Sequence, residues 1–143
     1  MNKNKIIIIL GQTSTGKSDF AVEVAKCVNS EIISADSRQV YKGMNLGTGK
    51  ITKKEMDGIP HHLLDIVSPS RVLTVNDYKK LADKKIKEII KRKKIPIICG
   101  GTGFYIDTVI NNVTLPEVKP NKELRATLSK KSNIELMKIL SKF

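Results

Sequence analysis

Lys17 and Ser18 end the run GQTSTGKS, in which Gly11, Gln12, Thr13, Ser14, Thr15 and Gly16 complete the pattern G-x-x-x-x-G-K-[ST]. A loop of this type binds a diphosphate or triphosphate. Its glycines let the backbone approach phosphate oxygens, and its amides and the following helix N-terminus cradle the charge. Lys17 adds a point charge, and Ser18 can hold Mg²⁺. ATP, GTP and a non-nucleotide diphosphate all suit the pattern. Asp36, in the run IISADSRQ, ends an apolar segment. A carboxylate there can hold Mg²⁺ or act as a general base, and its bland alternative is a loop cap. Arg38 and Gln39 can meet phosphates or base edges, or simply solvate a surface. In Gly100-Gly101-Thr102-Gly103, Thr102 can hydrogen-bond a ligand or cap a helix.

Strands and helices must bring these residues together. Ile6–Leu10 is a continuous β-branched run, the mark of a buried parallel strand, and it feeds the glycine loop. From Lys17 to Val28, Phe20, Ala21, Val24, Ala25 and Val28 recur at helical spacing. Glu31–Ala35 reads as a second strand, Gly43–Gly49 as a loop and His62–Ile66 as a short strand. Val75–Arg92 reads as a helix capped by Thr74 or Asn76, with Leu81, Ile86, Ile89 and Ile90 inward and Lys79, Lys80, Lys84, Lys87 and Lys91 largely outward. Ile95–Cys99 is another buried strand, followed by a helix from Phe104. This alternation predicts an α/β protein whose parallel sheet is flanked by helices and binds ligands at the C-terminal strand edges. All three chemical signals fall at that edge. The glycines after Cys99 stand where a P-loop ATPase usually carries an acid, which counts against an ordinary ATPase.

Residues 1–112 are expected to form this core. Residues 113–143, with Pro116 and Pro120 in a linker and short basic helices at Glu123–Leu128 and Ile134–Phe143, are expected to begin a helical insertion.

The chain has 143 residues, 40% of them hydrophobic and 28% charged, which suits one domain with a real core. No apolar run approaches the roughly 18 residues of a membrane span, and a cytosolic location is the default expectation. Residues 1–70 carry 9 Lys/Arg against 7 Asp/Glu, whereas residues 71–143 carry 17 against 7. That basic half suits a polyanionic partner such as nucleic acid, or a solvated lysine-rich face. Aromatic residues are 4%, which argues against a base-stacking sheet. Cys27 and Cys99 are expected to be reduced core thiols. His61 and His62 are adjacent, so they point apart on a strand and are expected to pack rather than share a metal.

The segments GQTSTGKS (11–18), ISADSRQVYKGMNLGTGK (33–50), PHHLLDI (60–66) and GGTGFYI (100–106) together resemble the tRNA dimethylallyltransferase (tRNA isopentenyltransferase) family. The likeness covers residues 5–112 and continues weakly to Arg125. It implies a P-loop NTPase-like fold and transfer of a dimethylallyl group from its diphosphate to the exocyclic amine of an adenosine beside the tRNA anticodon. The donor diphosphate then occupies the P-loop with Mg²⁺ on Ser18, and nucleotide hydrolysis is not required. Asp36 inherits the role of general base. Asp36, Ser37, Arg38 and Gln39 meet the extruded adenosine and its neighbours. Thr13 and Thr102 match positions near donor and substrate, and Arg125 matches, by spacing alone, an arginine that reaches diphosphate or tRNA. Gln12, Ser14 and Thr15 depart from the usual family loop GPTASGK, and GTGK replaces the commoner GTAK. Family members are longer and carry further helices that grip tRNA. The expectation is therefore a shortened member that keeps the donor site and lacks part of the tRNA clamp. Three alternatives stand beside it: a P-loop small-molecule kinase, a non-catalytic diphosphate- or RNA-binding remnant, and an enzyme prenylating free adenine nucleotides.

Overall fold

A computed structural model describes residues 5–114, 118 and 120–143. The first four residues of the basic N-terminal stretch and Pro116 of the expected linker lie outside them. Four parallel strands, β1 (Ile7–Leu10), β2 (Glu31–Ser34), β3 (His61–His62) and β4 (Pro96–Gly100), form one sheet in the order β1-β4-β2-β3. Among the described residues five helices accompany them: α1 (Lys17–Cys27), α2 (Val75–Lys91), α3 (Gly103–Ile110), α4 (Lys122–Leu128) and α5 (Asn133–Leu140).

Strand side chains alternate between two faces, and each face has its own core. Ile32, Ile97 and Cys99 pack against Ala21, Val22 and Ala25 of α1. Ile33, Ala35 and Ile98 pack against Tyr78, Ala82, Ile86 and Ile89 of α2 and Tyr105 and Ile106 of α3. Tyr78 and Tyr105 stack with ring centroids 3.9 Å apart. The Tyr78 hydroxyl donates to the Ser34 carbonyl at 3.1 Å, so this buried phenol is satisfied. Helix α2 starts with a full capping box, Thr74 and Asp77 each bonding the other's backbone amide.

Several expectations change. The first strand is half-exposed, because β1 is an outer strand of the sheet rather than a central one. Phe20, expected on the inner stripe of α1, is 56% exposed, and Val22 takes an inward place instead. Phe20 looks past the β1 edge, where it shares a shallow depression with Ile8 and Leu10. Ile86, Ile89 and Ile90 turn inward on α2 as expected, but Leu81 is 37% exposed and Tyr78 and Ala82 complete the buried face instead. Cys27 is exposed at the end of α1, and only Cys99 is a core thiol; both are free. The strand expected over His62–Ile66 stops at His62, since Leu63 and Asp65 take φ of 63° and 52°. Such left-handed residues cannot continue a pleated ladder. Helices α4 and α5 form close to where they were expected, and neither buries a residue.

At the sheet end away from the glycine loop, Glu31 collects three basic side chains. Arg92 donates to it twice, at 3.0 and 2.7 Å, His62 Nε2 lies at 2.7 Å and Lys94 Nζ at 3.3 Å. Burial alone would raise the Glu31 pKa, but the bonds from Arg92, His62 and Lys94 outweigh it and hold the carboxyl at about 2. A depressed folded-state pKa stabilises above the ordinary value of 4.5, and that contribution disappears as pH falls through about 2. Glu31→Gln is therefore expected to cost roughly 2 kcal/mol at neutral pH, since it leaves the cations without their anion. Its deficit against the parent chain should shrink below pH 4.5 and vanish near pH 2, as urea titrations across that range will show. A deficit that stays constant with pH would refute the electrostatic account.

Candidate active site

The C-terminal ends of β1, β2 and β4 open onto one pocket of about 210 Å³. Residues 13–19, from the glycine loop and the first turn of α1, line it together with Ser34, Asp36, Gln39, Thr48, Gly49, Cys99 and Gly100. Three segments separated in sequence thus share a single cleft.

The loop is built around the Gln12 carbonyl, which accepts from Lys17 Nζ at 2.7 Å and from Thr15 Oγ1 at 2.8 Å. Gly16 sits at φ 77°, a conformation that turns the chain into α1 and that a side chain would strain. Ser14 adopts φ 64°. The first amides of α1 have no partner within the helix and, with its dipole, favour an anion at this end. Ser18 lies in the first turn of α1 and lines the pocket. A hydroxyl there, with the Asp36 carboxylate across the same cleft, is an oxygen donor set compatible with Mg²⁺ beside a bound diphosphate.

Asp36 is both cap and reactive candidate. Its Oδ1 accepts from the Arg38 and Gln39 amides, at 2.8 and 3.2 Å. Those bonds orient the carboxylate and leave Oδ2 for a proton or a cation. Thr102 stands at the start of α3 but makes no side-chain cap there. Its Oγ1 instead accepts from the Ser37 amide at 2.9 Å, and its own amide donates to the Ala35 carbonyl at 3.0 Å. The glycine turn after β4 is therefore bonded directly to the Asp36 turn. Gln39 donates through Nε2 to the carbonyls of Thr48 and Gly49, at 3.1 and 3.0 Å.

The other expected residues are more scattered. Gly11 and Gln12 belong to the loop but do not line the pocket, nor do Ser37, Thr102 and the exposed Arg38. Arg125 is on α4 and lines no part of it. His61 Nδ1 meets the Ile59 carbonyl and His62 turns to Glu31, so the pair packs as expected. Among the described residues no group of three or more His, Cys, Asp or Glu is placed to hold a metal. Sequence reasoning passed over Thr48 and Cys99 as lining residues. Thr48 lies within the 33–50 run and Cys99 directly precedes the GGTG run, but the contact of each with the pocket depends on the fold.

The family model for IPP transferase matches residues 39–143. The chain belongs to the IPP transferase family. The family's relatives include a tRNA dimethylallyltransferase of Staphylococcus aureus, 49% identical over 138 residues, which are 94% of this chain and 44% of the relative. Among solved structures, the tRNA isopentenylpyrophosphate transferase of Bacillus halodurans superposes with TM-score 0.79 and 43% identity, over 98% of this chain and 48% of that one. A eukaryotic dimethylallyltransferase acting on tRNA gives TM-score 0.76 and 34% identity, over 84% of this chain and 31% of its own. The chain thus spans less than half the length of the relatives it matches. The sheet and its flanking helices have the P-loop NTPase-like fold of that family. Among the described residues no helix is long and apolar enough to cross a membrane.

Proposed function

We propose that the protein transfers a dimethylallyl group from dimethylallyl diphosphate to the exocyclic amine of an adenosine next to the tRNA anticodon. The observation that carries this reading is that Asp36 lines one pocket with the P-loop Lys17 and Ser18. A phosphate site and an oriented base in one small cleft suit a displacement reaction whose leaving group is diphosphate.

In that reaction the amine nitrogen attacks the first carbon of the dimethylallyl group while its bond to the diphosphate oxygen breaks. The electron pair leaves with the diphosphate. Lys17 and the loop amides are placed to stabilise the charge that develops there. Mg²⁺, held by Ser18, would neutralise further charge on the diphosphate when bound. Asp36 takes the proton lost by the amine on Oδ2, since Oδ1 is engaged by backbone amides. Ser37, Arg38 and Gln39 meet the extruded adenosine and its neighbours, and Thr102 holds their turn in place. Arg125, exposed on α4, is assigned to a tRNA phosphate. The cytosol is the compartment proposed for this reaction.

Lys17→Ala is expected to weaken diphosphate binding by roughly 10²-fold, the scale of a lost charge-assisted contact. Titration calorimetry with dimethylallyl diphosphate checks it. The function itself is tested by incubating the chain with labelled dimethylallyl diphosphate, Mg²⁺ and unmodified tRNA. Label on tRNA supports the proposal, whereas a chain that neither binds the donor nor labels tRNA overturns it.

A further inference from the structure

The basic residues of helix α2 divide by partner. Lys79 pairs with Asp83 and Lys85 with Glu88, each at 2.8 Å, and Arg92 and Lys94, just past the helix end, reach Glu31. Asp77, the remaining acid of α2, is engaged by Thr74 in the capping box. Lys84, Lys87 and Lys91 stand apart. Each is exposed, and among the described residues none of them makes an ion pair or a hydrogen bond. At about 100° per residue they fall within one narrow arc of the helix, opposite the buried Tyr78, Ala82, Ile86 and Ile89. Lys80 continues the same arc one turn earlier.

Like charges at i, i+3 and i, i+4 repel, so Lys84 with Lys87 and Lys87 with Lys91 destabilise the isolated helix. A carboxylate at one of these positions would relieve the repulsion, yet every acid of α2 serves another group. The result is a positive line about 10 Å long from Lys84 to Lys91, at roughly 1.5 Å per residue. A sugar–phosphate backbone is a polyanion whose regularly spaced charges match such a line. A membrane surface fits it less well, because a lipid-binding helix inserts its apolar face and that of α2 is already packed on the sheet. The helix also runs away from the pocket. Tyr78, in its first turn, bonds the carbonyl of the pocket residue Ser34 at one end of β2, and Arg92, past its last turn, bonds Glu31 at the other. Nucleic acid lying on the lysine line is therefore distinct from any nucleotide in the pocket.

We propose that the outer face of α2, through Lys84, Lys87 and Lys91, is an RNA-binding surface that takes backbone phosphates of the tRNA stem, outside the nucleotides that enter the pocket. The choice of tRNA rests on the function proposed above. The surface itself takes no part in donor binding or proton transfer.

Titration of unmodified tRNA over a series of salt concentrations compares the parent chain with two triple variants. One carries Lys84→Gln, Lys87→Gln and Lys91→Gln. The other, a control for net charge, carries Lys5→Gln, Lys53→Gln and Lys54→Gln, all exposed and none on α2. The α2 variant is expected to bind tRNA about tenfold or more weakly at low salt, with a log–log salt slope shallower by about 2 to 3. Each lost phosphate contact removes roughly 0.7–0.9 from that slope. The control should keep the parental slope. Affinity for dimethylallyl diphosphate should stay within about twofold in both, since no residue of either triple lines the pocket. If the α2 triple loses the donor as well, Lys87→Gln alone decides, through a slope change of about 1. A single-stranded oligonucleotide of the anticodon-loop sequence has no stem and should bind the parent and the α2 variant alike; an equal loss on it overturns the stem assignment. A parental slope in the α2 variant, equal losses in the two triples, or a parent chain that does not bind tRNA overturns the surface. A parent chain that binds tRNA through α2 but transfers no label to it overturns the proposed transfer and leaves the surface standing.

Discussion

Asp36→Asn is expected to slow dimethylallyl transfer by about 10²–10⁴-fold while leaving donor affinity and thermal stability close to those of the parent chain. The substitution is chosen from the geometry. Asp36 Oδ1 accepts from the amides of Arg38 and Gln39, and an asparagine oxygen can keep both bonds. What disappears is the second carboxylate oxygen, the one able to take a proton from the attacking amine. Asp36→Ala would mix two effects, because it removes the cap as well as the base and loosens the turn that Thr102 holds through the Ser37 amide. Single-turnover transfer to tRNA, donor titration and thermal melting on the same preparation separate the cases. Loss of transfer with donor binding retained assigns the proton to Asp36. If Asp36→Asn instead removes Mg²⁺-dependent diphosphate binding, the carboxylate is a metal ligand and the base lies elsewhere.

The parts of this site that could be read from the chain are those whose physics is local. The glycine loop is contiguous, and its glycines, lysine and serine act within eight residues, so GQTSTGKS announced an anion site before any fold was known. The Thr74 cap was visible for the same reason, since a capping box spans one helical turn. Strand order is a different kind of information. A run such as Ile6–Leu10 looks alike whether it lies at the centre or the edge of a sheet, and its edge position explains why Phe20 is exposed. His62–Ile66 misled because its composition suits a strand, whereas its backbone turns left-handed at Leu63 and Asp65. That turn lets Asp65 face Lys50, fifteen positions earlier, and no short-range pattern encodes such a pairing. Cys99 likewise reads as a core thiol. It is one, with burial raising its pKa to about 11, yet it also lines the pocket because β4 is flanked by β1 and β2.

Gly100→Ala is expected to destabilise the protein by about 3 kcal/mol or more, enough to deplete the folded chain at physiological temperature. Gly100 ends β4 where that strand runs between β1 and β2. A Cβ built there stands 2.8 Å from the Ala35 Cα and closer still to the Ala35 carbonyl. The obstacle is backbone, so no rotamer change relieves it. The close approach also brings the two turns together: the Ala35 amide donates to the Cys99 carbonyl at 2.8 Å, and the Thr102 amide donates to the Ala35 carbonyl at 3.0 Å. Separating the strands by the distance a methyl needs would break those bonds and move Asp36 away from the P-loop. Gly101 and Gly103 are internal controls. A Cβ on Gly101 meets only the Gly11 carbonyl, at 3.3 Å, and one on Gly103 meets nothing within 4 Å. Gly103→Ala also places a better helix former at the first residue of α3. Melting temperatures should therefore fall most for Gly100→Ala, modestly for Gly101→Ala and not at all for Gly103→Ala. Equal losses at all three positions would mean that the GGTG run is held by contacts other than the approach of β4 to Ala35.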